Sequence, residues 1–197
     1  MQFLWNFVTD FGDTAVTLPL AAVTIAFLFF SGWPRAALTF ALTLAGCGAA
    51  IGLVKLALQS CGRPLFHFDV ANPSGHAAIS AMVYGALAIL FSRNMPDRYR
   101  WLPILAAAAL VSAIALSRVV LDSHSPVEVA IGLSIGVMGA AAFWYLLPVL
   151  PAGPFHGLWL AAIALIVVGA MHGSRWPIED VIRGIVHFIR HSVPSCA

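Results

Sequence analysis

Residues 101–147 have the sequence WLPILAAAALVSAIALSRVVLDSHSPVEVAIGLSIGVMGAAAFWYLL. Two apolar runs, 101–121 and 127–147, are separated here by the short polar connector DSHSP. Each run has about the 20 residues that a helix needs to cross the hydrocarbon core of a bilayer. The stretch therefore predicts two successive transmembrane helices joined by a tight turn.

The same pattern recurs on both sides of this pair. Apolar segments at 14–30, 37–60 and 75–91 precede it, and a shorter one at 158–171 follows it. Only 9% of the 197 residues are charged and 61% are hydrophobic, whereas a soluble domain carries roughly 25% charged residues. We predict an all-α, polytopic membrane bundle of about six transmembrane helices, forming a single domain over residues 1–197.

The two ends of the chain differ from these segments. Residues 2–12 are typical of an interfacial stretch, and residues 177–191 have the spacing of an amphipathic helix. That helix could lie on the membrane surface or pack on the bundle. The N-terminus lacks the Lys and Arg residues of a signal peptide, so we expect it to be retained.

The three cysteines do not form a metal-binding pattern. Cys47 lies in an apolar run and is expected in the core. Cys61 and Cys196 could face the same compartment and form a disulfide, and the sequence leaves both this pairing and the oligomeric state open.

Ionisable residues near the ends of the predicted spans are functional-site candidates by default. Counting the crossings of the six spans brings three stretches to the membrane side of the N-terminus. These stretches are Lys55 with Arg63-Pro64, then Pro73-Ser74-Gly75-His76, then Ser117-Arg118 with His124 and Glu128.

Such a set of residues suits a phosphoryl group. Lys55, Arg63 and Arg118 could neutralise its non-bridging oxygens. The helix start at Ser74 and Gly75 offers backbone N–H groups and the positive end of a helix dipole. One histidine could attack phosphorus while a second protonates the departing oxygen, and a carboxylate could orient the attacking imidazole.

These three stretches, in this order, resemble the signature of the type 2 phosphatidic acid phosphatase superfamily. The resemblance implies that His124 becomes a phosphohistidine and that His76 is the general acid, with Glu128 orienting His124. It also implies that no metal or other cofactor is needed. The phosphate-binding residues that it implies are Lys55, Arg63, Ser74, Gly75 and Arg118.

Two positions depart from the usual family pattern. Seven residues separate Lys55 from Arg63 instead of six, and Glu128 stands where the family usually has Asp. Glu128 also has a structural interpretation, because Ser125-Pro126-Val127-Glu128 fits a helix capping box; both roles could hold together. Lys55 could instead be a lysine that extends its amine to the membrane surface.

The expected function is hydrolysis of a phosphomonoester or pyrophosphate on a membrane lipid. Candidate substrates are undecaprenyl pyrophosphate, phosphatidylglycerophosphate, phosphatidic acid and a lipid A phosphate. The alternatives are a small membrane transporter and a catalytically inactive membrane scaffold with an anion-binding pocket. Because the chain has no basic run, we expect no nucleic-acid partner.

The distribution of arginines predicts the orientation. The connectors opposite the candidate site contain Arg35, Arg93, Arg98 and Arg100, and short basic loops favour the cytoplasm. We therefore expect a bacterial inner-membrane protein whose site faces the periplasm or the cell exterior.

Overall fold

A computed structural model describes residues 2–60, 72–148, 156–176, 181–182 and 184–188. These ranges contain α-helices and one short 3-10 helix, Asp97–Tyr99, and no strand. The predicted all-α class is therefore confirmed, and the helix bounds lie within a few residues of the predicted segments. The helices are α1 (Gln2–Asp10), α2 (Thr14–Phe30), α3 (Pro34–Ser60), α4 (Gly75–Arg93), α5 (Trp101–Val120), α6 (Pro126–Leu146) and α7 (Gly157–Met171).

The lengths and surfaces of the helices are those of a multi-pass membrane protein. Five helical stretches of the described chain are long and apolar enough to cross a bilayer, with α1 and α2 counted as one. The helix α7 has 15 residues, which gives it a length of about 22 Å at 1.5 Å per residue. It is therefore shorter than a hydrocarbon core of about 30 Å. Large apolar side chains cover the outside of the bundle, among them Leu42, Leu53, Leu105, Val137 and Leu165.

Three helices begin at polar capping residues on one side of the bundle. Asp13 caps α2 and Ser74 caps α4. Ser125 caps α6 through a complete capping box with Glu128, and Pro126 occupies the first helical position. The capping box expected from the sequence is therefore confirmed. These caps satisfy backbone N–H groups that have no partner within the helix.

The helix α4 lies at the centre of the bundle. It packs against α2, α3, α5 and α6, and most of its residues are buried. Its Met82 and Leu90 belong to the main core cluster, in which the rings of Phe40 and Phe143 lie 5.4 Å apart. Because α4 contacts four other helices, the residues at its first turn have a fixed position relative to most of the bundle.

Small residues bring α4 and α6 into backbone contact. A Cβ atom built on Gly132 would overlap the carbonyl oxygen of Ser74, and one built on Gly136 would overlap that of Ala78. Helices in lipid associate through such close packing because burial of apolar surface gives little gain there. Two glycines of α6 therefore set its distance from α4.

The terminal segments are described in part. The helix α1 packs against α5 with Thr9 buried and Phe3 exposed. In the predicted 177–191 helix, Ile185 is exposed and Val186 is buried, while much of that stretch lies outside the described residues. Cys61 and Cys196 also lie outside them, so their pairing stays a prediction, as do the assignments of the two end segments.

The contact between α4 and α6 generates a first prediction. Gly136→Ala forces a methyl group against the Ala78 carbonyl, and overpacking of this kind costs about 1–3 kcal/mol. We expect a lower unfolding temperature in detergent, measured by intrinsic fluorescence. The control is Gly169→Ala in α7, where an added Cβ meets no heavy atom within 4 Å. An unchanged unfolding temperature in Gly136→Ala would contradict the tight contact.

Candidate active site

The turn between α5 and α6 carries His124. Asp122 adopts a left-handed conformation with φ of 51°, which reverses the chain after α5. The backbone N–H groups of Ser123 and His124 then donate to the carbonyl oxygen of Arg118, at 3.1 and 3.2 Å. These two bonds fix His124 relative to Arg118, although five residues separate them in the chain.

Glu128 contacts both the imidazole and two backbone groups. Its Oε2 lies 3.4 Å from His124 Nδ1 and accepts the Ser125 N–H at 3.0 Å. Its Oε1 accepts the N–H of Asn72 at 2.6 Å. The cap and the contact with His124 therefore coexist in one buried carboxylate. Because Nδ1 faces Glu128, Nε2 is the nitrogen of His124 that can face a substrate.

The surroundings of His124 favour its neutral form. Burial lowers the pKa of His124 below its ordinary value of 6.5, the positive charges of Arg118 and Lys55 act in the same direction, and Glu128 opposes them. A neutral imidazole is the form that can attack phosphorus. The net shift thus leaves His124 unprotonated, and available as a nucleophile, at neutral pH.

Lys55 is buried at the end of α3. Only 2% of its surface is exposed, so its amine does not extend to the membrane surface. A Cβ atom built on Gly75 would lie 3.6 Å from Lys55 Nζ, which brings the ammonium to the first turn of α4. A buried cation beside a helix N-terminus suits an anion, because both carry positive charge.

The first turn of α4 is tied to α6. The Ser74 side chain accepts the N–H of Ala77 at 3.4 Å, and the Ser74 backbone N–H donates to the carbonyl oxygen of Glu128 at 3.0 Å. Since that N–H already has an acceptor, the donors that this helix start offers to an anion are the hydroxyl of Ser74 and the backbone N–H groups of Gly75 and His76.

The structure brings the predicted general acid His76 and six other predicted site residues to one end of the bundle. They are His124, Glu128, Lys55, Ser74, Gly75 and Arg118, contributed by α3, α4, α5, α6 and the turn before α6. Arg63 lies outside the described residues, so its role stays a prediction.

Two residues near this site were missed by the sequence analysis. Asp13 Oδ2 lies 3.4 Å from His76 Nε2, and Thr9 Oγ1 accepts from Arg118 Nη1 at 3.1 Å. Thr9 lies in the stretch 2–12 that the sequence predicts to be interfacial, and Asp13 lies just before the first predicted span at 14–30. The available signal was the side count, because a carboxylate at the start of the first span faces the same membrane side as the site.

A cavity of about 230 Å³ begins at the site and extends into the apolar part of the bundle. Its polar end contains Lys55, Gly75 and His76. Its apolar wall comes from α2, α3 and α4 and from Trp176 and Ile182, which follow α7. The apolar wall includes Leu18, Gly48, Ile51, Gly52 and Ile79. A second cavity of about 350 Å³, between α4, α5 and α6, has no ionisable residue in its lining and does not reach the site.

Comparisons with known proteins place the chain in a family. A Klebsiella pneumoniae protein described as an uncharacterized 22.5 kDa protein in the cps region is 28% identical over 183 residues, covering 90% of this chain and 88% of its own. No solved structure matches the chain at a comparable level of significance. A model of the PAP2 superfamily matches residues 36–151, which include all the predicted site residues. Because that match covers more than half of the 197 residues, the chain belongs to the PAP2 superfamily.

Proposed function

We propose that this membrane protein hydrolyses a phosphomonoester or pyrophosphate on a lipid, through a phosphohistidine formed on His124. Membership of the PAP2 superfamily implies phosphatase-type activity. The proposed lipid substrate and phosphohistidine go beyond that membership, and one observation supports the phosphohistidine. His124 and Glu128 form a buried pair with their side chains 3.4 Å apart, and the positive charges of Lys55 and Arg118 act on His124. A transporter or an inactive scaffold would not need a carboxylate aimed at Nδ1 of a neutral imidazole.

The chemistry proceeds in two displacement steps. In the first, Nε2 of His124 attacks phosphorus in line as the bond to the leaving oxygen breaks, and His76 gives a proton to that oxygen. In the second, His76 takes a proton from a water molecule whose oxygen attacks phosphorus, and the P–N bond breaks. Glu128 stabilises the positive charge that develops on His124 in the first step.

The non-bridging oxygens of the phosphoryl group would be held by fixed donors throughout. Lys55 and Arg118 supply charge, Gly75 and Ser74 supply an N–H and a hydroxyl at the helix start, and Arg63 completes the set. Donors already in position when charge develops stabilise the transition state at little reorganisation cost.

The shape of the site supports a lipid as the substrate class. The cavity at Lys55 and His76 continues along an apolar wall, which matches a polar phosphate joined to a hydrocarbon chain. Gly48 and Gly52 leave room on the α3 side, because a Cβ atom at either position meets nothing within 4 Å. We infer that the hydrocarbon chain lies along this wall.

The pair of His124 and Glu128 generates a second prediction. His124→Ala should abolish both turnover and covalent labelling by a ³²P-labelled substrate in samples quenched with alkaline detergent, because a phosphohistidine is labile in acid. Glu128→Gln should lower kcat by up to about 10⁴, the loss seen in serine proteases when the carboxylate that orients the catalytic imidazole becomes an amide. Because the amide offers one acceptor oxygen for the N–H groups of Ser125 and Asn72, it should also cost about 1 kcal/mol of stability.

Ser125→Ala separates the two roles of Glu128. It removes the side-chain cap of α6, at a cost of about 0.5–2 kcal/mol, but leaves the carboxylate beside the imidazole. We expect an unfolding temperature similar to that of Glu128→Gln together with nearly full activity. If both variants lose activity to the same extent, Glu128 acts only as a helix cap, and turnover by His124→Ala would exclude the nucleophile.

The cavity generates a third prediction. Gly52→Leu should fill part of the cavity and lower kcat/KM for a long-chain lipid phosphate by at least about tenfold. The substrate chain would then bury several methylenes fewer, and each buried methylene contributes about 0.8 kcal/mol of binding. Hydrolysis of a short, soluble phosphate ester should change little. Gly46→Leu is the matched control, because Gly46 lies on the same helix, has the same open surroundings and does not line the cavity. Equal effects on both substrates would contradict a chain-binding wall.

The orientation is part of the same proposal and gives a fourth prediction. We propose that the site faces the periplasm or exterior of a bacterial inner membrane. In a background without native cysteines, Ser123→Cys should react with an impermeant thiol reagent in intact cells, while Asn94→Cys should react only after lysis. Ser123 adjoins His124, Asn94 ends α4 on the opposite side, and both are exposed. The reverse labelling pattern would invert the topology.

A further inference from the structure

A second carboxylate faces the second histidine of the site. Asp13, at the start of α2, is 7% exposed, and its Oδ2 lies 3.4 Å from His76 Nε2. It precedes Lys55, the first residue of the predicted signature, by 42 positions in the chain. We propose that Asp13 is a positioning residue that holds His76 in its acid role; the inference rests on the proposed function, in which His76 protonates the leaving oxygen.

Helix capping accounts for only one of the two oxygens of Asp13. Oδ1 accepts the N–H of Ala15 at 2.8 Å and lies 3.5 Å from the Thr14 hydroxyl. A single oxygen is enough for an N-cap, as serine and asparagine caps demonstrate. Oδ2 is the oxygen directed at the imidazole, so the carboxylate connects the α2 cap to His76 on α4.

The backbone around Asp13 is held against the helices that carry the site. Tyr84 of α4 donates its hydroxyl to the carbonyl oxygen of Phe11 at 2.7 Å. A Cβ atom built on Gly12 would lie 2.5 Å from Cγ2 of Ile114 in α5, so the turn packs directly on that helix. Because this turn is anchored to α4 and α5, Asp13 has a defined position relative to His76.

The contact determines which nitrogen of His76 can serve the reaction. With Nε2–H donated to Asp13, Nδ1 is the nitrogen left to face the phosphate. In the first step the proton on Nδ1 moves to the leaving oxygen as the P–O bond breaks, and the neutral imidazole keeps Nε2–H on Asp13. In the second step the water proton returns to Nδ1 as the P–N bond at His124 breaks, so the cycle closes without an added co-reactant.

The contact of Asp13 with His76 parallels that of Glu128 with His124. The site has two histidine–carboxylate pairs, each with 3.4 Å between nitrogen and oxygen. One contains the proposed nucleophile and the other contains the proposed acid.

Asp13→Asn gives the fifth prediction, because it keeps a good N-cap while it removes the negative charge and one of the two acceptor oxygens. We expect at most a small fall in the unfolding temperature, since one buried acceptor is lost. The kcat for phosphate esters with poor, alkoxide leaving groups should fall at least about tenfold, a share of the roughly 10²–10⁴ that general acid catalysis contributes. Aryl phosphates with good leaving groups, which need little protonation, should be hydrolysed at nearly the wild-type rate. In a His76→Ala background the substitution should have no further effect.

The matched control is Asp10→Asn. Asp10 ends α1 three residues earlier and pairs with the exposed Arg175 at 3.3 Å, so its substitution should leave both substrate classes unaffected. Equal losses on alkyl and aryl phosphates, an undiminished loss in the His76→Ala background, or no loss at all would overturn the role of Asp13. Absence of turnover of every phosphate ester by the wild-type protein would instead overturn the proposed function, and this inference with it.

Discussion

The backbone contact between α4 and α6 is the constraint on which the site depends. Gly132 lies against the carbonyl oxygen of Ser74, so the start of α4 sits beside the first two turns of α6. That proximity allows the N–H of Ser74 to reach the carbonyl oxygen of Glu128 and the N–H of Asn72 to reach its carboxylate. A single helix–helix distance therefore sets the position of the helix start at Ser74 relative to the pair of His124 and Glu128.

Several polar residues in this protein interact with more than one partner. Such sharing suits a membrane protein, because hydrocarbon offers no water to satisfy polar groups. Glu128 serves a helix start, a neighbouring segment and an imidazole at once. Asp13 divides its oxygens between a cap and His76. Arg118 holds the His124 turn through its carbonyl oxygen and bonds Thr9 through its guanidinium. In each case a residue that stabilises the fold also contacts a histidine of the candidate site or its turn.

The sequence predicted the helices well, since apolar runs with polar breaks translate almost directly into spans. It also predicted that the candidate residues of α3 to α6 lie together, because the alternating crossings bring them to one side of the membrane; their roles stay predictions. Asp13 was missed because it lies in no motif and its capping role explains its residue type. The burial of Lys55 was left open, because a lysine near a span end can also extend outward; only packing decides between the two.

The double use of Glu128 has a consequence for how this chain can evolve. A descendant that abandoned catalysis would be free to lose the imidazole of His124, which makes no cap, but would keep the carboxylate that begins α6. Under the proposed function, an acidic residue at this position is required by the fold, whereas the histidine four residues before it is required by the reaction. Relatives that keep the acidic residue but lack the histidine are expected to fold and to be catalytically inactive.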